Sequence, residues 1–184
     1  MATLTLANQL TLARLLLVPA LVLLVIYDYN GWALITFIVA GITDGLDGLA
    51  ARRAGERTNL GAFLDPMADK LLLTSTFVVL TLPGLDLANR LPIWLTVLVI
   101  SRDIVIVLTV AAVNLAVERF TFEPSTLGKV ATFVYIITGS VILYFNYLGR
   151  ASVFVDVVVW ASLVVTLVSG FHYIVHAARL VNES

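Results

Sequence analysis

Four aspartates stand at helical spacing in the first half of the chain, in otherwise apolar surroundings. Asp44 and Asp47 are three residues apart, and Asp65 and Asp69 are four apart. On a helix, the members of each pair share one face. Carboxylates in apolar segments are costly unless they are paired, hydrated or bound to an ion. Because no cysteine is present and neither histidine is near in sequence, these hard oxygen donors predict a Mg²⁺ or Mn²⁺ site.

Small and basic residues accompany the carboxylates. Arg52 follows the first pair, and Lys70 comes directly after the second. A carboxylate and metal centre bordered by Arg and Lys suits a phosphate-bearing substrate, and two divalent ions are the usual arrangement for displacement at phosphorus. Gly48 and Ala51 would leave room for a ligand beside the first pair, although small residues also serve tight packing between membrane helices.

The elements that position these residues are predicted membrane spans. The 184 residues are 60% hydrophobic and only 12% charged, which excludes an ordinary soluble domain and a disordered chain. The net charge of −1 gives no basic field for nucleic acid. About 20 apolar residues cross a bilayer, and lipid requires them to be helical. We predict an all-α integral membrane protein, a single transmembrane catalytic domain over residues 1–184. Its six spans would be Leu10–Tyr27, Trp32–Ala51, Leu60–Leu82, Pro92–Val117, Val130–Leu148 and Ser152–Ile174.

The second and third spans form a predicted antiparallel hairpin. Asp44 would lie roughly 12 Å from the inner end, with Asp65 and Asp69 roughly 8 and 14 Å from it, at 1.5 Å per residue. Apart from Lys70 and Arg102, basic residues number seven on one side and two on the other, which predicts cytoplasmic termini and a cytoplasmic active site. The membrane is expected to be a bacterial inner membrane. The seven are Arg14, Arg52, Arg53, Arg57, Arg119, Lys129 and Arg179, and the two are Arg90 and Arg150.

The combined pattern resembles the signature of the CDP-alcohol phosphotransferase family at all eight fixed positions. It reads Asp44-x2-Asp47-Gly48-x2-Ala51-Arg52-x8-Gly61-x3-Asp65-x3-Asp69. The segment 8–14 is similar to the family's opening segment, although Ala7 stands where a proline is common. The segments 64–70, 101–103 and 124–129 resemble the bacterial phosphatidylglycerophosphate and cardiolipin synthase branch.

The resemblance implies a six-helix membrane enzyme, usually a homodimer, that transfers a substituted phosphoryl group from a CDP-linked donor to an alcohol and releases CMP. It implies that Asp44, Asp47 and Asp65 hold two divalent ions. Asp69 would deprotonate the acceptor hydroxyl and also contact a metal.

The remaining site residues follow from the same resemblance. The donor-binding set would be Thr11, Arg14, Gly48, Ala51, Arg52 and Gly61. Lys70, Arg102 and Lys129 would line a pocket for an anionic acceptor. Two alternatives stay open: Arg102 could instead pair with an intramembrane carboxylate, and Lys129 could serve only to orient the chain in the membrane.

A lipid donor explains an active site inside the membrane, so we expect a CDP-diacylglycerol-dependent phosphatidyltransferase. Glycerol 3-phosphate is the first expected acceptor, giving phosphatidylglycerophosphate. Phosphatidylglycerol, giving cardiolipin, is the alternative that Arg102-Asp103 favours, and myo-inositol phosphate or serine are further possibilities. In another class, the carboxylates could form an ion or proton relay in a transporter. A prenyl transferase is disfavoured, because such enzymes usually have more helices. His172 and His176 are interpreted as interfacial, and Asp103 and Asp156 have no predicted role.

Overall fold

The protein is described here from a computed structural model. Its backbone is described over residues 6–54, 59–116 and 126–183, and its side chains over residues 9–43, 67–109 and 126–175. These parts contain helices and no strand. The helices are α1 (Leu6–Ile26), α2 (Asn30–Ala54), α3 (Asn59–Thr81), α4 (Ile93–Ala116), α5 (Thr126–Tyr147) and α6 (Val153–Glu183).

All six predicted helices are confirmed, and their limits differ most at the starts of α1 and α5 and at the end of α6. α1 begins at Leu6 instead of Leu10, and α6 continues past Ile174 to Glu183. Among the described residues, three segments are long and apolar enough to cross a bilayer: Gln9–Ile26, Thr126–Tyr147 and Val153–Val175. Asn30–Thr43 is a shorter apolar helix. The chain is therefore an all-α membrane protein, while six complete crossings stay a prediction.

The helices pack in a closed ring. α1 contacts α2 and α3, α2 continues to α5, α5 to α6, α6 to α4, and α4 returns to α3. α2 and α3 touch each other, but each packs more extensively against α1. The hairpin expected from the sequence is thus reinforced by α1, which contacts both helices that carry the four aspartates.

The buried face of α1 explains this position. Its fully or nearly buried residues are Thr11, Arg14, Leu21 and Val25, at the three- and four-residue spacings of a single helical face. The remaining faces of α1 carry exposed apolar side chains such as Leu16 and Leu23, as expected for a surface in contact with lipid. A polar pair therefore shares the inward face with the apolar core.

Candidate functional site

The inward face of α1 brings two predicted donor-binding residues into the bundle. Thr11 and Arg14 are both fully buried. Because α1 packs against α2 and α3, they face the two helices that contain the aspartate positions. Both residues interact with other groups of the chain. A buried guanidinium is costly without acidic or hydrogen-bonding partners, so its place next to acidic helices is physically consistent.

The aspartate positions themselves lie on regular helix. Positions 44 and 47 fall within α2, and positions 65 and 69 within α3, so the helical spacing that defines the two pairs is confirmed. Asp69 is half-buried and interacts with another group of the chain. The side chains of Asp44, Asp47, Gly48, Ala51, Arg52, Gly61 and Asp65 lie outside the described residues. Their predicted roles therefore stay predictions.

A second polar cluster is centred on α4 and joins that helix to α3 and to α6. The Arg102 side chain is only 10% exposed and donates from Nη1 to Asp103 Oδ1 at 2.7 Å. It also donates from Nε to Ser169 Oγ at 3.1 Å. Lys70 Nζ lies 3.6 Å from Asp103 Oδ2. Asp103 therefore bridges the two cations that the resemblance places in the acceptor pocket.

One donor of this cluster is left over. Nη2 of Arg102 is buried and has no hydrogen-bond partner among the residues that the structure describes. Buried charged donors are rarely left in this state, and a phosphate oxygen is the kind of acceptor a guanidinium binds well. Both alternatives for Arg102 therefore have support: the residue pairs with an intramembrane carboxylate and still has a donor for an anionic ligand.

The third predicted acceptor residue lies apart from this arrangement. Lys129 is exposed near the start of α5, and within the described ranges it forms no ion pair. Lys70 is half-exposed and joins the cluster through Asp103. The structure thus brings Lys70 and Arg102 together, and Lys129 keeps both its predicted acceptor role and its alternative, topological one.

Sequence reasoning missed the side of the cluster that α6 contributes. Ser169 and Tyr173 are buried, and the Tyr173 ring centroid is 6.0 Å from Cζ of Arg102. Ser162, Thr166, Ser169 and Tyr173 follow one another at spacings of three and four, so one helix face carries them all. That polar stripe in an apolar helix was a readable signal.

The stripe on α6 is anchored further along the bundle. Tyr135 Oη lies 2.7 Å from Thr166 Oγ1, and Thr138 Oγ1 lies 2.7 Å from Ser162 Oγ. These bonds join α5 to α6 in the core, where unsatisfied hydroxyls would be costly. They fix the height of Ser169 and hence the place of Arg102.

Both histidines belong to α6. His172 is exposed and lines a mostly apolar cavity of about 630 Å³ between the start of α5 and α6, with Leu127, Leu167, Val168, Phe171 and Val175. The side chain of His176 lies outside the described residues. The interfacial interpretation of the pair stays a prediction.

The chemistry of the predicted metal centre can be tested in part. Of the four predicted metal ligands, only Asp69 has a described side chain. Among the described side chains, no group of three or more His, Cys, Asp or Glu could hold a metal ion. The donor set as a whole is made of carboxylates on two neighbouring helices, and oxygen donors of this kind fit Mg²⁺ or Mn²⁺. The half-buried carboxylate of Asp69 is consistent with that set.

Taken together, the fold and these clusters define a helical membrane protein with a half-buried carboxylate on α3, a buried arginine on α1, and a cluster of Lys70, Arg102 and Asp103 that joins α3 to α4. The family model for CDP-alcohol phosphatidyltransferase matches residues 4–168. The chain belongs to the CDP-alcohol phosphatidyltransferase family, as the eight signature positions indicated. Membership in a transferase family favours an enzyme over the transporter alternative.

Three relatives extend the match over nearly the whole chain. A Mycobacterium tuberculosis protein named probable phosphatidylglycerophosphate synthase is 38% identical over 95% of this chain and 82% of its own length. A Bacillus subtilis CDP-diacylglycerol–glycerol-3-phosphate 3-phosphatidyltransferase is 32% identical, covering 91% of this chain and 92% of its own length. A Streptomyces coelicolor cardiolipin synthase (CMP-forming) is 32% identical, covering 97% and 85%.

Proposed function

We propose that the protein transfers the phosphatidyl group of CDP-diacylglycerol to glycerol 3-phosphate, forming phosphatidylglycerophosphate and releasing CMP. Two of the relatives above have names for this reaction, and they cover more than nine-tenths of the chain. The observation that carries the proposal is the order of side chains along α3. Asp69 adjoins Lys70, whose ammonium group joins the cluster of Asp103 and Arg102. In this proposal Asp69 is the general base, and the residue that follows it in sequence belongs to a pair of cations that suits a phosphate-bearing acceptor.

The residues divide the reaction between two sides of α3. On the α1 side, Thr11 and Arg14 bind the donor phosphates, with Gly48, Ala51, Arg52 and Gly61 beside the nucleotide. On the α4 side, Lys70 and Arg102 bind the phosphate of the acceptor. The buried Arg102 guanidinium offers a free Nη2 for that purpose. Lys129, near the start of α5, is the third proposed acceptor residue and lies apart from these two.

The proton and the leaving group follow from this placement. The acceptor hydroxyl oxygen attacks the phosphorus that carries the diacylglycerol, the bond from that phosphorus to the CMP oxygen breaks, and CMP leaves. Asp69 takes the hydroxyl proton on a carboxylate oxygen. Asp44, Asp47, Asp65 and Asp69 would hold two divalent ions, which when bound supply charge stabilisation to the phosphoryl oxygens. Arg14 holds further positive charge near the donor.

A specific observation also supports a second candidate. The S. coelicolor relative named cardiolipin synthase covers 97% of the chain at the same identity as the B. subtilis relative. Phosphatidylglycerol also presents a phosphate and a primary hydroxyl, so the Lys70 and Arg102 cluster suits it as well. The acceptor therefore separates the two candidates.

One experiment distinguishes them. The purified protein is incubated with CDP-diacylglycerol, Mg²⁺ and one candidate alcohol at a time, CMP is quantified, and the lipid product is identified by mass spectrometry. We expect CMP and phosphatidylglycerophosphate with glycerol 3-phosphate. Cardiolipin formed from phosphatidylglycerol alone would establish the second candidate. Ion-driven uptake into proteoliposomes without CMP release would overturn both in favour of a transporter.

The assembly and orientation complete the proposal. The family resemblance supports a homodimer, which native mass spectrometry of the detergent-solubilised protein would detect. The excess of basic residues supports cytoplasmic termini and an active site open to the cytoplasm. Labelling of single cysteines at both ends in intact cells tests this orientation, since the natural chain has none.

A further inference from the structure

A cavity of about 670 Å³ lies at the end of the bundle where α1 turns into α2 and α5 turns toward α6. Its lining includes Asp28, Tyr29, Asn30, Trp32, Tyr147 and Gly149. Asp28 is separated from Arg14 by roughly 20 Å along the helix axis, at 1.5 Å per residue. The cavity is therefore distinct from the proposed catalytic site. Its volume is in the range of small-molecule sites in proteins.

The two turns that border the cavity have the same backbone design. At the end of α1, Asp28 N donates to Val25 O at 3.1 Å and Tyr29 N to Leu24 O at 2.8 Å. At the end of α5, Gly149 N donates to Asn146 O at 3.0 Å and Arg150 N to Phe145 O at 3.1 Å. This is the helix ending that places one residue in the left-handed region and strongly prefers glycine there.

The left-handed position is occupied differently in the two turns. Gly149 has φ of 61°, and Asp28 has φ of 62°. Glycine adopts this conformation freely, whereas aspartate adopts it at some cost, although more readily than most residues with a side chain. Asp28 therefore puts a carboxylate at the cavity where glycine would be the more stable choice for the turn.

A buried acceptor next to this carboxylate has no donor. Asn30 is 7% exposed, and its Nδ2 donates to Asp28 Oδ1 at 2.6 Å. That bond leaves the amide Oδ1 of Asn30 buried, with no hydrogen-bond partner in the part of the chain that the structure describes. Because buried acceptors are nearly always satisfied, a ligand in the cavity would have to donate hydrogen bonds.

The charge of the lining further restricts the chemical class of the ligand. Asp28 is the one charged residue of the lining, and no Lys or Arg is part of it. The rings of Tyr29, Trp32 and Tyr147 line the same space, and aromatic faces attract cations. Tyr and Trp are common at membrane interfaces for other reasons, but that preference explains neither Asp28 in its left-handed turn nor the unpaired oxygen of Asn30.

We propose that this cavity binds a protonated primary amine, whose N–H groups donate to the Asp28 carboxylate and to Asn30 Oδ1 while aromatic rings cover its charge. A bare metal ion fits less well, because one carboxylate is a poor ligand set in so large a space. At the membrane interface such an amine is available on a lipid headgroup of the ethanolamine type, and also as a soluble amine. The proposal is independent of the proposed catalytic function.

The test compares two lipids that differ in whether the headgroup nitrogen carries N–H groups that can donate hydrogen bonds. The purified full-length protein is loaded with phosphatidylethanolamine or phosphatidylcholine of identical chains, and native mass spectrometry measures how much of each lipid is retained. We expect about tenfold tighter retention of phosphatidylethanolamine, because the quaternary ammonium of the other lipid has no N–H to donate. Free ethanolamine added as competitor distinguishes the sources: displacement shows that the amine alone is recognised, and lack of it shows that the lipid is required.

Two variants and one control separate a ligand role from a structural one. Asp28→Gly should abolish the preference while the unfolding temperature stays equal or rises, since glycine favours the turn. Asp28→Asn should lower the preference without changing the backbone demand. Asp156→Asn removes a carboxylate from a different cavity at this end of the bundle and should retain the preference. Equal retention of both lipids by the natural protein, with no binding of free ethanolamine, would overturn the proposal. An equal loss in Asp156→Asn would also overturn it.

Discussion

Arg102 and Asp103 are adjacent on α4, yet their side chains turn toward each other, with Nη1 2.7 Å from Oδ1. Adjacent residues on a helix do not normally face one another. Here the neighbouring helices hold both side chains in place, because Ser169 of α6 accepts from Arg102 and Lys70 of α3 approaches Asp103. Two nitrogens of the guanidinium are therefore hydrogen-bonded. The third, Nη2, is buried and has no hydrogen-bond partner among the described residues.

Replacing Arg102 should weaken acceptor binding. Arg102→Ala removes the open Nη2 donor, so we expect KM for glycerol 3-phosphate to rise at least about tenfold, as for loss of a charge-assisted hydrogen bond. The KM of Arg102→Lys should lie between the values of the natural protein and of Arg102→Ala, because an ammonium group cannot reproduce the planar hydrogen-bonding geometry of a guanidinium. CMP release at varied acceptor concentration measures this. Arg150→Ala, an exposed arginine beyond α5, is the matched control. An unchanged KM in Arg102→Ala would remove Arg102 from the acceptor site.

Replacing Asp103 should lower the free energy of unfolding more than replacing Lys70, the second cation near its carboxylate. Asp103→Asn leaves the Arg102 charge, only 10% exposed, without its carboxylate. We expect the free energy of unfolding to fall by about 1–2 kcal/mol, less than for a fully buried pair because Asp103 keeps some exposure. Lys70→Ala should have little effect, since the Lys70 side chain is 45% exposed. Thermal unfolding in detergent compares the two, and equal losses would contradict this assignment.

The sequence predicted the helices well because lipid imposes a simple rule. Long apolar stretches must be helical, so the six helices and their order followed from hydropathy alone. The extension of α6 to Glu183 was missed, because residues beyond the apolar stretch can continue a helix without a hydropathy signal.

The packing was harder to predict than the helices. The sequence indicated a hairpin of α2 and α3. In the structure each of these helices packs more extensively against α1 than against the other. The buried face of α1, which includes Thr11 and Arg14, explains this arrangement. Likewise, Arg102 was singled out by its charge, whereas Ser169 was missed because a serine is inexpensive in a membrane helix. Partners across helices depend on rotation about the helix axis, which spacing within one span does not determine.

Removing the proposed base should stop turnover without preventing donor binding. Asp69→Asn keeps the size of the side chain but cannot take a proton, so we expect kcat to fall by about 10²- to 10⁴-fold. Binding of CDP-diacylglycerol, measured by calorimetry in detergent with Mg²⁺, should persist in part. Asp86→Asn, in the connection between α3 and α4, is the control and should keep full activity. Full activity in Asp69→Asn would assign the base to another group.

Metal removal should abolish the reaction reversibly. The predicted counter-charges for the four carboxylates on α2 and α3 are divalent ions and the nearby basic side chains. We expect CMP release to cease in excess chelator and to return with Mg²⁺ or Mn²⁺, but less well with Ca²⁺, which favours larger coordination shells. Calorimetric titration of the metal-depleted protein should show binding that Asp65→Asn weakens. Turnover that persists in chelator would refute the metal dependence.

A glycine in α5 should be essential for the contact of that helix with α2. A Cβ at Gly139 would lie 2.8 Å from Cζ and 3.2 Å from Cε1 of Phe37, a side chain that is only 1% exposed. Because a buried ring cannot move aside without displacing its neighbours, we expect Gly139→Ala to lower the free energy of unfolding by about 1–3 kcal/mol. Gly41→Ala is the matched control: a Cβ there meets nothing within 4 Å, and alanine favours the helix, so stability should stay equal or rise. Chemical or thermal unfolding of both variants in the same detergent decides the matter. If the two alanines behave alike, the close approach of α2 and α5 at Phe37 is not a determinant of the fold.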